Sequence, residues 1–180
     1  MPTAPSAART SPTDVPPTPG VTATPGIGAW RNFLVAHARI TRRLDDELQA
    51  AHGLSLAEYD ALLQIATAPG RRVRMNVLAE RVILSRSGIT RLVDRLEAQG
   101  SVERLACKTD ARGQEAVLTE VGLGRLRAAA GTHLEGVRRY FLDRLDESER
   151  AALEATLARV ADPLARDDAP AHEGCRPASG

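Results

Sequence analysis

Residues 85–100 read Ser85-Arg-Ser-Gly-Ile-Thr-Arg-Leu-Val-Asp-Arg-Leu-Glu-Ala-Gln-Gly100. Four apolar side chains recur in this segment at helical spacing: Ile89, Leu92, Val93 and Leu96. This spacing predicts an amphipathic helix with one buried face. Ser85 is of a type favoured just before a helix and Gly100 of a type favoured just after one, so the segment also predicts both helix ends.

The polar side of this predicted helix carries hydroxyl and guanidinium groups. Without the buried face, the residues that remain are Arg86, Ser87, Thr90, Arg91, Asp94 and Arg95. Those nearest the helix N-terminus can contact phosphates and base edges when a helix enters a major groove. The alternative is a surface helix with ordinary solvated arginines.

The neighbouring segments predict a winged helix-turn-helix. A short helix from about Asn76 to Val82 precedes residue 85, with Leu78, Ala79 and Val82 on its inner face. Extended segments at 102–105 and 114–118 follow, joined by a polar, turn-forming loop. Two short helices and a β-hairpin in this order are typical of that fold, so we expect a mainly α protein with a small β-hairpin wing.

Longer helices flank this region. Apolar spacing predicts helices at about 29–52, from Ser55 to residue 69, from Thr119 to about 142 and from Asp146 to about 161. Glu58 stands three residues after Ser55 and forms a capping box. We therefore predict a proline-rich disordered tail at 1–28, a domain at 29–162 with its winged part at about 54–119, and a second disordered tail at 163–180.

Composition excludes several classes of protein. Between residues 71 and 112, ten Arg and Lys stand against five Asp and Glu, a basic stripe typical of nucleic-acid binding. The residues match no catalytic motif, metal-ligand spacing or cofactor-binding loop. We therefore expect that the protein is not an enzyme and that it binds no metal or cofactor. Two cysteines make no disulfide framework, and neither a membrane-spanning run nor a signal peptide is visible. The sequence therefore predicts a cytoplasmic protein.

Two motifs resemble those of the MarR family of bacterial transcription regulators. Residues 110–119, Asp-Ala-Arg-Gly-Gln-Glu-Ala-Val-Leu-Thr, resemble the family's wing motif at Asp110, Arg112, Gly113, Leu118 and Thr119, with Ala116 in the usual Val/Ile place. Residues 85–100 resemble its recognition helix, and Leu-Ala-Glu-Arg at 78–81 fits the preceding helix. The likeness in helix order extends over about 29–161.

The resemblance implies a homodimer held by helices at 29–51 and 120–162, with two winged lobes on a palindromic operator in double-stranded DNA. It also implies a transcriptional regulator that acts as a repressor and is released from the operator by a small-molecule ligand. The implied DNA contacts are Ser85, Arg86, Ser87, Thr90, Arg91 and Arg95 in the major groove, with Lys108 and Arg112 in the wing and Asp110 orienting Arg112. A winged-helix module that binds a protein and not DNA is the alternative, but its helix face should be apolar or acidic, and here it is basic.

Relatives of this kind commonly bind small aromatic or phenolic effectors. Trp30, Phe33 and His37 lie on one predicted face of the first helix and are candidates to line such a pocket. A core histidine bonded to a backbone carbonyl is the alternative reading of His37. Cys107 is either an exposed bystander or an oxidant-responsive thiol favoured by the nearby cations.

Overall fold

The computed structural model describes residues 25–82, 85–106 and 113–167, with the side chains of Arg86 and 162–167 excepted. Six α-helices and three strands occupy these ranges. In chain order they are α1 Ile27–His52, α2 Leu56–Thr67, β1 Arg72–Arg74, α3 Met75–Arg81, α4 Arg86–Ala98, β2 Val102–Ala106, β3 Gln114–Leu118, α5 Glu120–Tyr140 and α6 Glu147–Asp167. The predicted mainly α architecture with a hairpin wing is confirmed.

The helix ends follow from local hydrogen bonds. The Ser55 hydroxyl accepts the Glu58 backbone N–H at 3.2 Å, and the Glu58 carboxylate accepts the Ser55 N–H at 2.9 Å. This confirms the predicted capping box. Asp45 of α1 adds a long-range cap by accepting the Leu56 N–H at 2.7 Å, so α1 and α2 are joined at this point. Ser85 caps α4 as predicted, by accepting the Gly88 N–H at 3.1 Å.

The sheet has three antiparallel strands in the order β1-β3-β2. Ala116 at the centre of β3 pairs with Val73 on one side and with Arg104 on the other. The hairpin of β2 and β3 matches the prediction, whereas β1 is new. Its sequence, Arg-Val-Arg, has one buried residue between two charged ones and is too short to show a period.

The core lies between α2, α3, α4 and the sheet. The predicted inner faces of α3 and α4 are confirmed: Leu78, Ala79, Val82, Ile89, Leu92, Val93 and Leu96 are all buried. Residues from β2 and β3 complete the same cluster, among them Val102 and Ala116. A core of this kind fixes α4 by one face only and leaves the other face exposed.

Two helices extend beyond their predicted ends. The contacts divide the chain within α1, between Ala38 and Arg39, into two compact units. In the first unit α1 begins at Ile27, two residues earlier than predicted. In the second unit α6 continues to Asp167 through Pro163, where the prediction ended it. Proline removes one hydrogen bond of the helix, and the remaining ones continue past it. Residues 1–24 and 168–180 of the predicted tails lie outside the described residues. Among the helices that the structure describes, none is long and apolar enough to cross a membrane.

The first turn of α5 packs directly on the start of β2. Thr119 accepts the Gly122 N–H at 3.0 Å and donates its hydroxyl hydrogen to the Gly100 carbonyl at 2.7 Å. A Cβ atom at Gly122 would lie 2.0 Å from the Ser101 carbonyl oxygen. No such contact is possible, so this position requires glycine for the close approach of two backbones.

We therefore expect Gly122→Ala to lower the free energy of unfolding by about 1–3 kcal/mol, as overpacked sites usually do. Gly124→Ala on the same helix is the matched control, because a Cβ there meets nothing within 4 Å. The control should be neutral or stabilising by up to about 1 kcal/mol through helix propensity. Urea unfolding followed by circular dichroism measures both, and equal stability of the two variants would contradict the close approach.

Candidate nucleic-acid interface

The outward side of α4 presents a compact polar surface. Ser87, Thr90 and Arg91 are exposed there, whereas the four apolar residues on the opposite side are 2 % exposed or less. The Ser85 hydroxyl lies 3.3 Å from that of Ser87 at the helix N-terminus. The structure therefore brings together the hydroxyl groups that the sequence placed in this surface.

Arg91 lies along the same surface. Its Nε donates to the Ser87 carbonyl at 3.3 Å, one turn earlier on α4. Long helical side chains point toward the helix N-terminus, so the guanidinium is carried toward the Ser85 end of the helix. Charge and hydroxyl groups are thus concentrated in the first two turns, where a helix entering a groove meets the DNA.

Arg95 differs from the other predicted contacts because it has an internal partner. Its Nε donates to Glu58 of α2 at 3.1 Å. The Glu58 side chain is 6 % exposed and that of Arg95 is 57 % exposed, so the pair spans the edge of the core. The ion pair joins the third turn of α4 to the first turn of α2. The sequence predicts only that Glu58 caps α2, and it does not predict the pairing of Glu58 with Arg95.

The Glu58 carboxylate is held in its charged form. Burial raises its pKa, but hydrogen bonds from the Ser55 backbone, the Arg95 guanidinium and the Ser55 hydroxyl outweigh burial, and the net pKa lies below the ordinary value. A lowered pKa in the folded state means that this carboxylate stabilises the fold above its unfolded pKa. The contribution is lost as pH falls through the folded pKa.

The hairpin strands are described, but none of the three predicted wing contacts is. Lys108, Asp110 and Arg112 lie outside the described residues, as does Cys107. The backbone of Arg86 opens α4, and its side chain is outside the description as well. The wing residues therefore stay predictions from the sequence.

The three candidate ligand residues form an aromatic row on α1. The rings of Trp30 and Phe33 are 6.1 Å apart, and those of Phe33 and His37 are 6.2 Å apart. Trp30 is 57 % exposed and Phe33 is 45 % exposed. The predicted grouping on one helix face is therefore present, but that face is open to solvent in the single chain.

Two further histidines have structural neighbours that the sequence did not reveal. The ring of His133 on α5 lies 4.4 Å from that of Tyr59 on α2, and burial lowers its pKa, so the ring is neutral at pH 7. His52 lies 2.8 Å from the Thr132 hydroxyl. His133 thus joins α5 to α2, and His52 joins α5 to the end of α1. Among the described residues no cluster of three His, Cys, Asp or Glu could hold a metal ion.

Comparison with known proteins identifies the architecture. A profile of the MarR family matches residues 52–113. A helix-turn-helix-type transcriptional regulator of Bacillus cereus is 31 % identical over 127 residues, which are 71 % of this chain and 83 % of that protein. The chain belongs to the MarR family.

Solved structures of the family agree with this one. Sco3205, a MarR family transcriptional regulator from Streptomyces coelicolor solved in complex with DNA, is 36 % identical with a TM-score of 0.72, over 77 % of this chain and 86 % of that one. AbsC from the same organism is 35 % identical with a TM-score of 0.71, over 77 % and 93 %. This MarR-family protein is thus a DNA-binding transcriptional regulator, and proteins of this family are not enzymes.

The pairing of Arg95 with Glu58 predicts a stability effect that depends on pH. We expect Arg95→Met to lower the free energy of unfolding at pH 7 by about 1 kcal/mol, a modest value because Arg95 is half exposed. The loss should shrink as pH falls through the lowered folded pKa of Glu58, because the protonated carboxyl no longer needs a cationic partner.

Urea unfolding at pH 7 and at an acid pH well below the ordinary pKa of a glutamate measures this difference. Arg91→Met is the matched control on the same helix, since the Arg91 Nε bonds to a backbone carbonyl and not to a carboxylate. A loss for Arg95→Met that is the same at both pH values would show that the ion pair does not stabilise the fold.

Proposed function

We propose that this MarR-family protein is a homodimeric repressor in the bacterial cytoplasm that binds a palindromic operator and is released by a small aromatic or phenolic ligand. The observation that carries the proposal is the polar face of α4, with Ser87, Thr90 and Arg91 exposed beside a β-hairpin. In DNA complexes of winged helices, one such helix occupies the major groove and the wing lies along the neighbouring minor groove.

The proposed division of labour follows from side-chain chemistry. Arg91 would donate two hydrogen bonds to a guanine edge, and the hydroxyls of Ser85, Ser87 and Thr90 would accept or donate at bases and phosphates. Arg112, with Asp110 orienting it and Lys108 nearby, would enter a narrow minor groove, where the negative potential is strongest. Arg95 would contribute through Glu58 more than through DNA, since its guanidinium is paired with a buried carboxylate.

We expect Arg91→Ala to weaken binding to the selected operator by about 1–3 kcal/mol and to erode its sequence preference. Arg112→Ala should weaken binding with less effect on preference at the central bases. Fluorescence anisotropy with operator and scrambled duplexes, at several salt concentrations, measures affinity and discrimination separately. Arg127→Ala removes an exposed arginine of α5 and is the matched control. The proposed reading surface is wrong if Arg91→Ala and Arg112→Ala both bind the operator like the parent protein.

A second copy of the chain is the partner that α6 needs. Of the described side chains of α6, every one except Leu153 is exposed, including Leu157 and Val160. Leu153, Leu157 and Val160 recur at helical spacing and form an apolar stripe with little cover. An uncovered helix gains little stability of its own, so packing on another surface is required. Two-fold symmetry in a dimer would also match a palindromic operator.

We therefore expect Val160→Glu to shift the protein from dimer to monomer at micromolar concentration, because a charge in an apolar contact is strongly unfavourable. Val121→Glu is the matched control: Val121 is 57 % exposed and Val160 is 60 % exposed, but Val121 lies in the first turn of α5 beside the winged lobe. Analytical ultracentrifugation distinguishes the two outcomes. A parent protein that sediments as a monomer would contradict the dimer directly.

The ligand step rests on the aromatic row of α1. Trp30 is the only tryptophan of the chain, so its fluorescence reports on this row alone. We expect salicylate, as a phenolic probe, to change that fluorescence and to release the operator over the same concentration range. His37→Ala should need several-fold more of it for both effects. Release of the operator without any response of Trp30 would place the ligand elsewhere, and no release by a panel of phenolic acids would contradict the ligand step.

A further inference from the structure

Arg104 lies at the centre of β2 and reaches across to α4. Its side chain is 20 % exposed, and it pairs in the sheet with Ala116 of β3. Its Nη2 donates to the Thr90 carbonyl at 3.1 Å and also to the Asp94 carboxylate. Its Nη1 lies 3.7 Å from a carboxylate oxygen of Glu97. One guanidinium therefore contacts three residues of α4.

The three acceptors share one side of the helix. Thr90, Asp94 and Glu97 are spaced by four and three residues, which places them in a row along two turns. Glu97 also accepts the backbone N–H of Arg104 at 3.3 Å, at the free edge of the sheet that β2 forms. The planar guanidinium of Arg104 is held at several points, and the Arg104 backbone is bonded to α4 as well. Together these contacts fix both the distance and the angle between the hairpin and α4.

These contacts do not suit Arg104 to bind phosphate itself. Its charge is opposed by two carboxylates, and four-fifths of the side chain is covered. Its Nε is one of two buried side-chain polar atoms that lack a hydrogen-bond partner among the described residues. A buried donor without a partner is unfavourable, so the guanidinium contributes less to net stability than its ion pairs suggest. Its effect is on geometry.

We propose that Arg104 is a positioning residue that sets the angle between the wing and the recognition helix α4. This inference rests on the proposed DNA-binding mode and deepens it: major-groove and minor-groove contacts can form together only when hairpin and helix already stand at the required angle. Thr90 belongs both to the polar face of α4 and to the Arg104 contact, which links the two reading elements. Holding the wing in place before binding avoids the entropy cost of ordering it on the DNA.

The test compares duplexes that differ only in the bases flanking the selected operator. With the wing in position, A·T flanks, which narrow the minor groove, should bind more tightly than G·C flanks. We expect Arg104→Gln to reduce that flank preference to less than about twofold while discrimination at the central major-groove bases is kept. A variant that is merely less stable would weaken binding to all duplexes alike. Asp94→Asn loosens the same contact from the α4 side and should change the flank preference in the same direction.

Arg72→Gln is the matched control in the same sheet. Arg72 of β1 lies 3.6 Å from Glu115 of β3, so the substitution breaks an ion pair of the sheet that does not involve α4. It should leave the flank preference of the parent protein unchanged. Retention of the full preference in both Arg104→Gln and Asp94→Asn would overturn the positioning role.

Amide hydrogen exchange provides a readout that needs no DNA. Arg104→Gln should speed exchange across 102–106 and 114–118 by about tenfold or more, and Arg72→Gln should not speed it at 102–106. A parent protein without flank preference would contradict the proposed minor-groove contact of the wing. The exchange experiment would then still decide whether Arg104 holds the hairpin, and unchanged exchange at 102–106 in Arg104→Gln would overturn the inference.

Discussion

The burial of one face of α4 is the constraint on which the rest of the structure depends. Ile89, Leu92, Val93 and Leu96 are almost completely removed from solvent, each contributing roughly 1.5–3 kcal/mol of burial. Because side chains on a helix point in fixed directions, burying these four residues also fixes the direction in which Ser87, Thr90 and Arg91 point. The reading surface is therefore a consequence of the core, and it is as rigid as the core.

Charged residues around α4 separate into two groups by what they contact. Arg95 is bonded to buried Glu58 of α2, and Asp94 and Glu97 receive Arg104 from β2. These pairs hold the helix from two sides. Arg91 lies nearer the N-terminus of α4, and its Nε bonds to the Ser87 carbonyl of the same helix. Basic residues of the same type thus support the helix at one end and face outward at the other.

The start of α5 connects the winged lobe to the helices that we assign to the dimer. Gly122 allows α5 to touch the Ser101 backbone, and Thr119 bonds to the Gly100 carbonyl. Arg125 donates to the Ser101 hydroxyl at 2.9 Å and to the Gly53 carbonyl at 3.4 Å, and so joins the end of α1 and the start of β2. Its cation stands close to the C-terminal ends of two helices, α1 and α4, whose dipoles favour positive charge. A movement of α5 would accordingly be transmitted to the lobe through short contacts.

The sequence by itself determined the features whose causes are local. The capping box of Ser55 and Glu58, the cap at Ser85 and the apolar spacing of α4 all depend on residues within one or two turns, and each is present where the pattern predicted it. The hairpin strands also followed from short-range alternation and a turn-forming loop. The family resemblance rests on such local motifs as well, which is why it could be recognised from residues 78–119 alone.

Only the tertiary structure decided which distant groups meet. Nothing within the segment Arg-Val-Arg shows that it pairs with β3, since a three-residue strand has no period to detect. Arg95 pairs with Glu58, 37 residues away, and Arg104 pairs with Asp94, 10 residues away. The sequence alone does not distinguish these two carboxylates from the other Asp and Glu residues of the chain. The need for glycine at 122 arises from a carbonyl 21 positions earlier in the chain. Contacts of this kind depend on how elements pack in three dimensions, and packing brings together residues that no local pattern relates.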